Sequence, residues 1–264
     1  MESADRRRAI GSPYPSLPGD PEQLVEDVSV EIEDQGGLDA FPEDEALPIT
    51  GVERLKGRDK YRYRIRFGTH DIDVHEDVMI KFRMIKGAVF TKQELEEIVL
   101  ADEKQQAYAA ALNYLSRKPR TQHEVTMRLN EKGWEEGPVA EVIHRLEREG
   151  LLNDALYARE WAEQRVRSRG KGKMWVRQEL RQKGVSKPLI EEALGEVAEE
   201  EEYQSALALA GKRWDKGSGE IVDRKRKIAA FLMRRGFSGS IASRVVRQLA
   251  DQNYKADDEV DWMC

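Results

Sequence analysis

The spacing of apolar positions along the chain divides it into parts with different periods. Up to residue 48 there is no sustained period: apolar residues from Leu24 to Ile32 are broken up by acids, among Pro13, Pro15, Pro18, Pro21, Pro42 and Pro48. This composition cannot build a core, so residues 1–48 are read as a disordered acidic arm. From Ile49 the pattern turns β-like. Tyr61 to Phe67 alternates apolar and basic residues with period 2, the mark of a half-buried strand, with turns expected at Gly57 to Lys60 and at Gly68-Thr69. A second strand is predicted at Asp71 to Val74 and a helix from His75 to Met84, broken by Gly87. Thr91-Lys92-Gln93-Glu94 is a capping-box spacing that opens a helix running toward Asp102. Residues 49–106 thus form a small cap of strands and helices.

From 107 to 250 the period is helical throughout and the pattern repeats. Leu129-x-x-Lys132-Gly133-Trp134 recurs as Leu180-x-x-Lys183-Gly184-Val185 and as Leu232-x-x-Arg235-Gly236-Phe237, at steps of 51 and 52 residues. The glycine of each copy is placed to end a helix, because it adopts a left-handed conformation without steric cost. Apolar residues at helical spacing follow each time: Val139, Val142, Ile143 and Leu146, then Leu189, Ile190, Ala193 and Leu194, then Ile241, Val245, Val246 and Leu249. Upstream of each motif lie two more helices. In the first copy these meet at Pro119 and a second capping box, Thr121 to Glu124; in the second, Asp154 is read as the N-cap. The expected architecture is mainly α: three tandem three-helix bundles, 107–153, 154–202 and 203–250, in an elongated, curved array, with an acidic tail over 251–264.

Charge sharpens this picture. The four parts 1–48, 49–106, 107–250 and 251–264 carry −10, +1, +7 and −4, which hides a basic body inside a net charge of −6. Such a body suits a polyanionic partner, although a solvated helix surface gives the same count. The densest run is Arg165, Arg167, Arg169, Lys171, Lys173, Arg177, Arg181, Lys183 and Lys187, interrupted by Glu179 alone. Arginine forks in such a run bind phosphates or carboxylates in pairs of hydrogen bonds. Trp175 lies within it, where an exposed indole would stack on a base or on a partner side chain. Arg117, Lys118 and Arg120 form a smaller cluster at the first inter-helix turn. Gly170 to Lys173 lacks the Lys-Ser/Thr ending of a phosphate loop and is read as a flexible basic turn.

Catalytic chemistry finds no footing. His70, His75, His123 and His144 are far apart, and Cys264, the single cysteine, offers no metal-ligand spacing. No enzyme, cofactor or metal is expected. With no apolar run of membrane length, the reading is a cytoplasmic chain. Residues 121–154 imitate a helix-turn-helix, but Glu141, Glu147 and Glu149 on the would-be reading helix disfavour entry into a major groove.

Several separated stretches resemble the RecX family of regulators of the RecA recombinase. They are Ala111 to Thr121 with Glu124 and Leu129; Leu152-Asn153-Asp154-x-x-Tyr157-Ala158; Gly170-x-Gly172; Glu179-Leu180-x-x-Lys183-Gly184-Val185; and Arg235-Gly236-Phe237. Val74 to Asp77 and Lys86-Gly87 are similar to the extension of longer, Gram-positive-type members. The resemblance covers residues 49–250 and implies a monomer that binds the RecA–DNA filament, limiting its growth and its ATPase and strand-exchange activity. The expected partners are the filament and, in a salt-dependent way, single- or double-stranded DNA. The expected contacts are Arg117, Lys118, Arg120, Arg165, Arg167, Arg169, Lys171, Lys173, Trp175, Arg177, Arg181 and Lys183. A nucleic-acid-binding repeat protein or a helical scaffold without a recombinase role are the alternatives.

Overall fold

The computed structural model describes residues 38–56, 61–215 and 219–261, from 253 on as backbone alone. The turn expected at Gly57 to Lys60, most of the acidic arm, and Trp262 and Cys264 lie outside these residues.

The cap follows its pattern. Strands β2 (Gly51–Arg54), β3 (Arg62–Phe67) and β4 (His70–His75) form an antiparallel sheet, while β1 (Leu47–Pro48) pairs with β5 (Val89–Phe90). Alternation along β3 sends Ile65 and Phe67 into the core, and Arg64 out to its cross-strand partner Asp73 at 2.8 Å. Helix α1 (Glu76–Lys81) covers the sheet with Val78. Of the arm expected over 1–48, the described residues from Leu38 on belong to the cap. Leu38–Ala40 forms a 3-10 turn, Phe41 is buried against Phe67, and Leu47 joins β1. One aromatic side chain in the core outweighs the prolines and acids that flank it.

A second difference concerns the boundary placed at 106. Helix α2 (Lys92–Leu115) crosses it without a break, opened by the predicted Thr91–Glu94 capping box. No glycine or proline interrupts Ala101 to Ala110, so nothing ends the helix there. Its first half buries Leu95 and Ile98 in the cap and its second half buries Ala107, Tyr108 and Ala111 in the first repeat. Asp102, 2% exposed, fastens the crossover by accepting from His75 N at 2.6 Å and pairing with Arg62 at 3.0 Å.

Three three-helix units follow. Helices α3 (Gln122–Glu131) and α4 (Glu136–Arg148) complete the first with α2. The second comprises α5 (Asp154–Arg169), α6 (Lys173–Gln182) and α7 (Lys187–Glu196). The third comprises α8 (Glu199–Trp214), α9 (Ile221–Arg234) and α10 (Gly239–Asp261). The repeated leucines Leu129, Leu180 and Leu232 are each at most 1% exposed and lie in three separate cores. Burying each side chain stabilises its unit by about 2–3 kcal/mol. The glycines after them have φ of 94°, 78° and 84°, the left-handed turn that the motif predicted. Helix α10 runs past 250 into the acidic tail, where no glycine or proline stops it.

The first and third helices of each unit are also linked by polar contacts. Tyr108 donates to Glu149, which Arg145 also reaches; Arg159 bonds Glu192 and Glu196; Tyr203 donates to Gln248. No helix among the described residues is long and apolar enough to cross a membrane.

Candidate nucleic-acid interface

The basic residues are best understood from the way one repeat meets the next. At joint 1, between the first and second repeats, the start of α3 sits on the Lys183-Gly184 turn. Thr121 Oγ1 donates to Lys183 O at 2.6 Å, and a Cβ on Gly184 would lie 2.2 Å from His123. At joint 2 the start of α6 sits on the corresponding turn of the third repeat. Gly172 N donates to Arg235 O at 2.9 Å and Met174 N to Gly236 O at 3.1 Å. A Cβ on Gly172 would stand 2.2 Å from the backbone of Gly236, so the Gly170–Lys173 segment is a packed seat, not the flexible turn expected.

Each joint is closed by a carboxylate reaching back from the next repeat. Asp154 accepts from Gln122 N at 2.9 Å, and Glu202, 4% exposed, accepts from Lys173 N at 2.9 Å. Both cap a helix start with a negative charge that the free N–H groups favour. Burial nevertheless pushes both carboxyls above their ordinary range. Asp154 is therefore not the N-cap of its own helix. Asn153 takes that role, accepting from Leu156 N, which leaves Asp154 to serve the neighbouring repeat.

Many of the cations in the predicted interface are engaged by this architecture. Lys183 pairs with Glu124 at 2.8 Å, Arg165 with Glu179 at 3.0 Å, Arg167 with Glu201 at 2.6 Å and Arg177 with Glu191 at 2.9 Å. Lys173 donates to Val197 O. Arg120 lies over Tyr114 and 3.8 Å from Glu124. Trp175, expected as an exposed indole, is half-buried: Gly236 packs against its backbone and Cβ, and Lys171 Nζ stands 3.4 Å from its ring centroid. Arg117, Arg169 and Arg181 are exposed, with no carboxylate within ion-pair distance among the described residues; Lys118 is exposed beside Arg117.

Comparison with known proteins bears directly on this architecture. Family models for the first, second and third three-helix domains of RecX match residues 107–146, 153–194 and 199–246. The regulatory protein RecX of Halalkalibacterium halodurans is 31% identical over 220 residues, 81% of each chain. The chain belongs to the RecX family. A RecX from Geobacillus kaustophilus is 32% identical over 66% of this chain and 65% of its own. A crystal structure of regulatory protein RecX superposes with a TM-score of 0.65 at 30% identity, covering 75% of this chain and 98% of that one.

The joints of this RecX-family chain are built from residues that composition does not single out. Glu124, Asp154, Glu202 and Arg235 sit at the joints; the sequence places Glu124 and Asp154 in caps and Arg235 in the repeat motif, and singles out nothing at Glu202. The signal was present in the repeat itself. On the 51-residue step, Arg120 falls on Lys171 and Glu124 on Trp175; on the 52-residue step, Lys183 falls on Arg235.

Proposed function

We propose that this chain regulates homologous recombination and DNA repair by binding the RecA filament on DNA in the cytoplasm. Bound there as a monomer, it limits filament growth and restrains ATP-driven strand exchange. Family membership supports the regulatory class, and the observation that carries the contact is the set of cations left over once the joints are built. Arg117, Arg169 and Arg181 are exposed and without carboxylate partners among the described residues, so they meet an incoming phosphate or acidic surface without breaking an internal pair. Arg167 and Arg177 contribute less, because each must first leave a glutamate.

The test is RecA ATPase on single-stranded DNA with and without the protein. The expected result is inhibition that grows with concentration, weakened at least tenfold when Arg117, Arg169 and Arg181 are together changed to Glu. An ATPase rate indifferent to the protein removes the recombinase reading and leaves a nucleic-acid-binding or scaffolding role.

A further inference from the structure

The two joints seat the corresponding helix start on the corresponding glycine turn and differ in charge. In joint 1 the third helical position of α3 is Glu124, whose carboxylate lies 2.8 Å from Lys183 Nζ and 3.8 Å from Arg120. Two cations there share one built-in anion. In joint 2 the third helical position of α6 is Trp175, and no carboxylate stands in its place. Lys171, at the position of Arg120, rests its ammonium on the indole face. Arg235, at the position of Lys183, stands on the facing turn, anchored through its own carbonyl to Gly172 N. Arg165 approaches from α5, held between the Trp161 ring at 4.0 Å and Glu179 at 3.0 Å.

Lys171 feels these charges. Its ammonium is held below the ordinary lysine range, first by burial and then by Arg235, with Arg165 adding to the effect and Glu179 opposing it. Of the groups around Lys171, Arg235 and Arg165 are cations, and the Glu179 carboxylate is already held by Arg165. Lys171 and Arg235 have no carboxylate within ion-pair distance among the described residues. A half-buried lysine in the field of nearby arginines is stabilised by any anion that enters.

We propose that joint 2 is a phosphate-binding site for a nucleic-acid backbone, formed by Lys171, Arg235 and Arg165 where joint 1 carries the carboxylate of Glu124. The proposal deepens the reading given above, since it names DNA itself as a ligand of the protein. A nucleic-acid strand supplies successive phosphates, one per about 3.4 Å of duplex axis, and the arginine fork suits their oxygens. Trp175 keeps the site open by filling the volume of the missing carboxylate without its charge.

The repeat supplies its own control. Trp175→Glu restores at joint 2 the charge pattern of joint 1, giving Lys171 and Arg235 an internal anion. The full-length protein is titrated with a labelled oligothymidylate, without recombinase, over a range of salt concentrations. Wild type, Trp175→Glu, Trp175→Gln and Arg235→Gln are compared, with thermal melts confirming the fold. Trp175→Glu and Arg235→Gln should bind at least tenfold more weakly, with the slope of log affinity against log salt shallower by about 0.7 for each phosphate lost. Trp175→Gln, which removes the indole without adding charge, should bind more tightly than Trp175→Glu and more weakly than wild type, the gap between the two variants reading the charge alone.

Wild-type affinity and slope in both Trp175→Glu and Arg235→Gln would overturn the site; Arg235→Gln decides alone if the tryptophan variant melts early. Arg235→Gln that leaves the oligonucleotide bound but weakens the RecA filament contact would assign the pocket to a protein carboxylate instead, which also overturns it. Inorganic phosphate alone quenching tryptophan fluorescence, with oligonucleotide binding unchanged in the variants, would make it a free-anion site and remove the nucleic acid. Oligonucleotide binding that depends on these residues in a protein without effect on RecA ATPase would sustain the site while ending the recombinase reading.

Discussion

Joint 1 and joint 2 solve one packing problem with different chemistry. Both seat the start of a second helix on the glycine turn of the next repeat, and both cap that start with a borrowed carboxylate, Asp154 in one and Glu202 in the other. The side chains at the rim then diverge. Joint 1 holds the Glu124 carboxylate between Lys183 and Arg120, whereas joint 2 has Lys171 on an indole and Arg235 on the facing turn with no carboxylate between them. At joint 1 the third helical position also closes a capping box with Thr121, whereas at joint 2, where Gly172 opens the helix, Trp175 makes no such bond. One joint uses that position for cohesion and the other leaves it to a ligand.

The largest effect should come from the backbone. Gly172→Ala forces a Cβ to within 2.2 Å of the Gly236 backbone, which no rotamer relieves, and Gly236→Ala adds a left-handed φ of 84°. Each should cost roughly 3 kcal/mol in chemical denaturation and expose the Met174 amide to hydrogen exchange. A melt like wild type would mean that the second and third repeats do not depend on this seat.

The same substitution at equivalent positions should next give opposite outcomes. Lys183→Met strands the half-buried Glu124 carboxylate and should destabilise by about 2–3 kcal/mol, recovered in part by adding Glu124→Gln. Arg235→Met relieves a repulsion instead, and should leave the urea midpoint unchanged or raised. Equal losses at both positions would erase the electrostatic distinction between the joints.

Acid gives a smaller and signed test. Burial opposes ionisation of Glu124, but the Lys183 ammonium and the Thr121 amide outweigh it and hold the carboxyl below its usual range. Its contribution is therefore complete above the unfolded value of about 4.3 and is lost as pH falls through the lower folded value. Asp154 and Glu202 act in the opposite sense: burial raises them, so folding disfavours their charge and acid relieves that cost. The urea midpoints of wild type and Glu124→Gln should differ by a constant amount from pH 7 to about 5 and converge below about 4.3. A gap that persists unchanged to pH 3 contradicts the assignment. Smallest of all, Arg167→Ala at the exposed rim of joint 2 should leave the melting temperature within error, because surface pairs with Glu201 and Glu163 are screened by water.

Much of this was legible from residues alone, and the omissions share one cause. Both Thr-x-x-Glu boxes, the three positive-φ glycines and the alternation of β3 are local signals, in which a residue's role is fixed by neighbours a few positions away. The roles of Asp154, Glu202 and Trp175 depend on partners 29 to 61 residues distant. Local rules place Asp154 on its own helix, give Glu202 no role and make Trp175 an exposed residue of the basic run. The run from Arg165 to Lys187 looked like one basic surface because a linear count cannot register Glu191, Glu201 and Glu124 arriving from other helices.

By itself, the sequence determined the helices, their turns, the three-fold repetition and the sign of the charge on the central body, because periodicity and glycine stereochemistry act over one or two turns of chain. Only the tertiary structure decided which of those charges meet one another. Pairing energy falls steeply with distance and burial, and both are set by how successive repeats dock.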